Sequence, residues 1–155
     1  FEIPAIQSPE SLNKSTFLSS VPLAPLSGIR ILIVDDDENI RDLLSSLLEI
    51  SGAITTVADS ANKALRLIEA LQPDVLLCDI CMPGMDGYAL IRTIRTTEQG
   101  KNLPAIAVTA YVGESIRFQA LSEGFQHCIS KPVDFQVLVA VIQDLTSDLT
   151  GSSGD

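Results

Sequence analysis

Apolar positions along the middle of this chain alternate between short runs and helical stripes. Ile29 to Val34 is a β-branched run of strand length that ends in Asp35-Asp36-Asp37. Ile40, Leu43, Leu44, Leu47 and Leu48 then fall at i, i+3, i+4, i+7 and i+8, the stripe of an amphipathic helix that Gly52 closes. Ala53 to Ala58 predicts a second strand. Ser60 suits the N-cap of a helix that turns Ala64, Leu65, Ile68 and Leu71 inward and stops at Pro73. Val75 to Cys78 predicts a third strand, apolar throughout, ending at Asp79. Pro83-Gly84 and Asp86-Gly87 make a turn-rich loop, and a helix with Ala89, Leu90 and Ile94 follows. Ala105 to Val108 predicts a fourth strand ending at Thr109, then a helix with Ile116, Ala120 and Leu121 that ends at Gly124. Phe125 to Ser130 predicts a fifth strand, followed by Lys131-Pro132 and a helix carrying Leu138, Val141, Ile142 and Leu145.

Five strand–helix units in strict alternation, with apolar strands, predict a parallel sheet covered by helices on both faces. Right-handed crossovers make this a doubly wound α/β sandwich. Periodicity does not give the strand order; for a sheet of this length the flavodoxin-like order 2-1-3-4-5 is expected. Residues 1–28 are rich in Ser and Pro and carry no steady period, so they are expected to be an extended linker before a domain at 29–147. Residues 148–155, closing on Gly151-Ser152-Ser153-Gly154-Asp155, are expected to be a flexible tail. The chain starts at Phe1 rather than Met, which suggests a piece of a longer protein or a processed product.

Composition narrows the function classes. With 46% apolar residues the 155-residue chain can bury one core. A net charge of −10 argues against sequence-independent nucleic-acid binding and against docking on anionic membrane. It leaves open a metal cation or a basic protein surface. No apolar run reaches membrane-span length, and no signal peptide is evident. Cys78, Cys81 and Cys128 are odd in number and lie in or near apolar strands, so a reducing cytoplasm is expected rather than a disulfide scaffold. Cys78 and Cys81 have CxxC spacing, but Cys78 lies inside a strand, which disfavours a redox pair. A zinc cluster of Cys81, His127 and Cys128 lacks a fourth ligand.

The polar residues collect at one edge. Asp35 and Asp36 end the first strand, Asp79 the third, Thr109 the fourth, and Lys131 follows the fifth. In open α/β sheets the carboxyl ends of the strands carry the site. If strands one and three are neighbours, Asp35, Asp36 and Asp79 converge. Two unit charges about 4 Å apart repel by roughly 1 kcal/mol in water and about 4 kcal/mol at an effective dielectric of 20. Either one carboxyl takes a proton or a cation sits among them. Oxygen-only ligands favour a hard divalent ion such as Mg2+. A carboxylate nucleophile, a metal, a lysine and a hydroxyl together suit a phosphoryl-accepting aspartate.

Four motifs, in order, resemble the receiver domain of two-component response regulators over roughly residues 28–147. They are Ile31-Leu32-Ile33-Val34-Asp35-Asp36-Asp37, the run from Asp74 to Gly87, Val108-Thr109-Ala110 and Ser130-Lys131-Pro132. The resemblance implies the (βα)5 receiver fold and a set of roles. Asp79 would take a phosphoryl group from a phosphohistidine of a histidine kinase or phosphotransfer domain. Asp36 would ligate Mg2+ directly, Asp35 mainly through water, with Asp79 and the Cys81 backbone carbonyl completing the protein ligands. Lys131 would pair with Asp79 and then with the phosphoryl group, and Thr109 would swing to bond it. One position departs from the family: three residues before the lysine stands Cys128, where an aromatic is usual, so the usual coupling of threonine to aromatic lacks its aromatic. Tyr111 and Cys81 are expected to set the dephosphorylation rate.

The resemblance is strongest to C-terminal receivers of bacterial hybrid sensor kinases, and Phe1-Glu2-Ile3-Pro4 is similar to the closing strand of a kinase ATP-binding domain. A stand-alone receiver acting as a phosphate shuttle is a second reading, and a weak homodimer is compatible with either. A magnesium-dependent phosphatase of the haloacid dehalogenase type is the alternative from another class. It would want Asp-x-Asp-x-Thr after the first strand, where this chain has Asn39 in the threonine place. A degenerate receiver used only for contacts is disfavoured by intact Asp36, Asp79 and Lys131.

Overall fold

The computed structural model describes residues 25–110 and 113–147. The expected tail, most of the expected linker, and Tyr111 lie outside the described residues. The elements alternate as the pattern predicts: β1 Arg30–Val34, α1 Glu38–Ile50, β2 Ile54–Ala58, α2 Ala61–Leu71, β3 Val75–Asp79, α3 Gly87–Arg95, β4 Ala105–Thr109, α4 Glu114–Glu123, β5 His127–Ser130 and α5 Phe135–Leu145. All pairings are parallel and the sheet order is β2-β1-β3-β4-β5, as expected. The chain therefore reverses direction across the sheet between β1 and β3, which leaves a crevice at their carboxyl ends.

Strand side chains alternate between two cores. Ile31, Ile33, Val75, Leu77, Ile106 and Val108 meet Leu44 and Leu48 of α1 and Leu138 and Ile142 of α5. Leu32, Val34, Leu76, Cys78 and Ala107 meet α2, α3 and α4 on the other face. β3 and β4 are buried at every position, which matches their unbroken apolar sequence. β2 departs from that expectation: at the sheet edge, Ile54 is 58% exposed and its threonines are half-buried. Leu71, expected inward, is exposed because α2 ends there in a left-handed Gln72. Leu43 is also exposed and Leu47 half-buried, so the apolar stripe of α1 is wider than the core it covers.

The segment read as linker is tied to the domain at Leu26 and Gly28. Leu26 is fully buried, its N–H donates to the Ser51 carbonyl at 2.9 Å, and the Gly28 N–H donates to Gly52 at 3.1 Å. The helix starts are set by side chains that accept otherwise orphaned amides. Asp37 accepts from Asn39 and Ile40, Asp86 from Ala89, and Asp134 from Gln136 and Val137. α4 is the exception: Gly113 precedes it with φ 140°, no side chain caps it, and Ala120 is its one buried residue. Its far end is held by α3. Arg95 donates from Nε and Nη2 to the Gly124 carbonyl at 3.1 and 2.6 Å and from Nη1 to Gly100 at 2.6 Å, while Arg92 pairs with Glu123 at 2.7 Å. Among the described residues no helix is long and apolar enough to cross a membrane.

Candidate functional site

The register carries the predicted acids to one place. β1 pairs with β3 from Ile31–Val75 to Val34–Cys78, so Asp35 and Asp79 are the next residues on adjacent strands. Asp35 is 2% exposed, Asp79 6%, and Asp36 is exposed. One carboxylate oxygen from each of Asp35, Asp36 and Asp79 lies within 4.8 Å of the others. Three oxygen donors at that spacing, two sunk and one open to solvent, fit a hard divalent cation that keeps part of its water. Cys81, whose backbone carbonyl the sequence reading adds to this set, follows directly in the loop; its N–H donates to Asp79 Oδ1 at 3.3 Å.

Lys131 reaches the same point from the loop after β5. Its Nζ donates to Asp35 Oδ2 at 3.1 Å and lies 3.6 Å from Asp79 Oδ1. It is thus nearer to Asp35 than to Asp79, where the resemblance places the pairing on Asp79. The Lys131–Pro132 bond is cis, and a 2.7 Å hydrogen bond from the Lys131 N–H to the Thr109 carbonyl holds its backbone against β4. Thr109 is buried at the end of β4 and brings its hydroxyl to the same edge.

Burial, then the Asp35 charge, raises the Asp79 carboxyl to about 6, opposed by Lys131 and the Cys81 N–H. Burial alone would lower the Lys131 ammonium, but its bond to Asp35 and the two carboxylate charges outweigh that and raise it. The site therefore holds more negative charge than one lysine neutralises, which is the electrostatic case for a further cation.

Two positioning residues were not legible in the sequence. Arg41 donates from Nη1 to the Asp35 carbonyl at 2.8 Å and so fixes the end of β1 from the first turn of α1. No periodicity distinguishes it from a solvated arginine. Gly87 begins α3 against the end of β3, where an added Cβ would sit 2.6 Å from the Asp79 carbonyl oxygen. Asp86-Gly87 signalled a turn, but not this close approach.

The other cysteine and histidine readings lose ground. Cys78 is fully buried, its thiol donates to the Asp79 carbonyl at 3.2 Å, and all the cysteines are free. Among the described residues Asp35, Asp36 and Asp79 are the group spaced to hold a metal, and neither Cys81, His127 nor Cys128 joins them. Asp37, which the phosphatase alternative would need in the site, is spent on capping α1.

A five-stranded parallel sheet of this order, with acids of β1 and β3 and a lysine after β5 at its carboxyl edge, defines the receiver class. The chain belongs to the response regulator receiver domain family, which residues 31–143 match. It is 48% identical over 118 residues to a 14.6 kDa protein of Leptolyngbya boryana, covering 76% of this chain and 90% of that one. It is 41% identical over 119 residues to hybrid signal transduction histidine kinase D of Dictyostelium discoideum, covering 71% of this chain and 8% of that one. Among solved structures, a response regulator from Chloroflexus aurantiacus matches with a TM-score of 0.75 and 31% identity, over 78% of this chain and 99% of that one. The receiver domain of a Pseudomonas aeruginosa sensor histidine kinase, described with a magnesium ion in its active-site cleft, matches with a TM-score of 0.71 and 29% identity, over 77% and 98%. The phosphatase alternative is not favoured.

Proposed function

We propose that this domain is a phosphoryl switch in which Asp79 is the acceptor. One Asp79 oxygen attacks the phosphorus of a phosphohistidine, the P–N bond breaks, and the imidazole leaves with the electron pair and takes up a proton. The observation that carries this is the meeting of Asp79 with Asp35, Asp36 and Lys131 at one strand edge. Asp35, Asp36, Asp79 and the Cys81 carbonyl would hold Mg2+, which when bound offsets the charge of the transferring group. Lys131, already between Asp35 and Asp79, supplies a second cation to a phosphoryl oxygen, and Thr109 supplies a hydroxyl.

The donor needs a surface beside this edge. An apolar groove of about 120 Å³ lies next to Lys131, lined by Ile40, Leu43, Leu47, Pro132, Val133 and Phe135. It suits the apolar face of a partner helix that carries the histidine of a kinase or phosphotransfer domain. The reading extends to the parent protein: a cytoplasmic hybrid sensor kinase, with residues 1–28 joining the receiver to a preceding domain and 148–155 a tail. The likeness to a hybrid kinase over the receiver region supports it. Acetyl phosphate and Mg2+ should add the mass of one phosphoryl group, lost in Asp79→Asn. Retention of that mass gain in the variant, or steady ester turnover without it, would sink the reading.

A further inference from the structure

Gln143 of α5 donates from Nε2 to the Pro25 carbonyl at 3.4 Å, and the Leu26 N–H donates to the carbonyl of Ser51, just past α1, at 2.9 Å. Pro25 is exposed where Leu26 is fully buried. The upstream chain, residues 1–24, therefore joins the fold between the carboxyl ends of α1 and α5. The apolar groove beside Lys131 runs between the same two helices, with Ile40, Leu43 and Leu47 on one wall and Val133 and Phe135 on the other. From Gln143 up to Phe135, α5 covers about 12 Å at about 1.5 Å per residue. An extended chain covers that distance in about four residues, at about 3.3 Å each. Residues 21–24 have the length to run from Pro25 to the groove.

The sequence of that stretch suits the groove. From Ser15 to Gly28 it carries no charged residue. Pro22 and Pro25 disfavour the helical region at Val21 and Ala24, so the residue pattern is that of extended chain. In extended chain Val21 and Leu23 share a face. The groove holds about 120 Å³, less than the roughly 150 Å³ that takes a benzene ring, so it accepts branched aliphatic side chains rather than a ring. Leu43 in its wall is 55% exposed, and covering it removes apolar surface from water. The tether at Pro25 presents the segment at the high effective concentration of a short linker, whereas a partner has to arrive from solution.

We propose that the chain's own residues 21–24 occupy the groove between α1 and α5, with Val21 and Leu23 against Leu43, Leu47 and Phe135, and that a phosphohistidine donor displaces them to reach Asp79. The gating half of the inference rests on the groove being the donor's docking surface. The segment and the donor's helix want the same apolar walls, so each excludes the other. A small phosphodonor needs no groove and passes the segment unhindered. The upstream chain thus sets how readily a protein donor gains access, without touching the acids or the lysine of the site.

The test uses the whole chain with ¹³C-methyl-labelled leucine and valine. Nuclear Overhauser contacts should join the methyls of Val21 and Leu23 to those of Leu43 and Leu47 and to the Phe135 ring; a Val21→Asp, Leu23→Asp double variant assigns the first two by their loss. The contacts should persist on dilution. Contacts that vanish on dilution would place a second copy of the chain in the groove and overturn the proposal. The double variant should brighten the apolar dye ANS severalfold over the native chain, and adding Leu43→Arg should remove that gain. Phosphotransfer to the double variant from a histidine-phosphorylated phosphotransfer protein should be at least severalfold faster than to the native chain, with labelling by acetyl phosphate unchanged. Absence of the methyl contacts, or no gain in ANS fluorescence, overturns the proposal. Methyl contacts with unchanged transfer from the protein donor overturn the gate and the docking role of the groove together. No labelling of the native chain by acetyl phosphate overturns the reading of Asp79 instead, since the methyl contacts do not depend on it.

Discussion

Asp79 is held where its charge is disfavoured, and that has a measurable consequence. Its carboxyl is raised from 3.8 to about 6 in the metal-free protein, by burial first and then by Asp35. Between about pH 4 and pH 6 the folded state keeps a proton that the unfolded chain has released. This contribution to stability is therefore complete below the unfolded value and is lost as pH rises through about 6. Thermal melts in chelator should show the native chain weakening from pH 4.5 to 7 relative to Asp79→Asn, whose profile should be flatter. At pH 7 the variant should be more stable by about 1–3 kcal/mol, less than the roughly 4 kcal/mol of two bare charges 4 Å apart because Lys131 offsets part of it. Added Mg2+ should narrow that gap; a variant no more stable than the native chain at pH 7 contradicts the electrostatic account. Gly87→Ala acts on the same residue through its backbone. A Cβ 2.6 Å from the Asp79 carbonyl oxygen must push β3 and α3 apart. Urea denaturation should show a loss of about 1–3 kcal/mol, the usual cost of overpacking, and BeF3⁻ affinity should fall with it.

Among the elements, α1 serves two surfaces. Leu44 and Leu48 are buried in the core, while Leu43 and Leu47, with an edge of Leu44, line the groove beside Lys131. Leu43 is 55% exposed, so replacing it leaves the core intact. Leu43→Arg should slow phosphotransfer from a kinase or phosphotransfer protein at least severalfold and leave acetyl phosphate labelling unchanged; equal loss with both donors would mean the groove is not the docking surface. This division also marks what the sequence could and could not say. The stripe from Ile40 to Leu48 identified the helix, because periodicity reports which side is apolar. It could not say which leucines met the core, because that depends on how far the loop after β5 approaches. The site was legible for a related reason: Asp35, Asp79, Thr109 and Lys131 end or follow strands, and in a doubly wound sheet strand ends share an edge. The bond from Lys131 to Asp35 was not legible, since it spans elements 96 residues apart, and Arg41, only six residues from Asp35, was not because its side-chain direction carries no periodic signal.

At the scale of the molecule, the packed unit includes residues that composition assigned to a linker. Leu26 is fully buried in the cluster that also holds Ile29, Leu48 and Ile142, at the amino end of β1 and so opposite the site. Ser and Pro around it suggested extended chain, and the prolines at 22 and 25 break any helical period its neighbouring apolar residues could carry. Leu26→Ala should cost about 2–5 kcal/mol in a denaturant titration, the range for a buried leucine. A value within 0.5 kcal/mol of zero would make those residues a loose appendage.

The clamp that Arg95 places on Gly124, with Arg92 on Glu123, bears on how α4 can move. It fastens the end of the helix remote from Thr109, while the near end begins at an uncapped glycine. A helix fastened at one end only would swing as a lever rather than slide as a rod. Were the pivot at Gly124, ten residues at about 1.5 Å each would give an arm of about 15 Å, with displacement greatest near Gly113 and least at the clamp. A partner that reads this domain by position would find the largest travel at the tip of α4 and almost none at its heel.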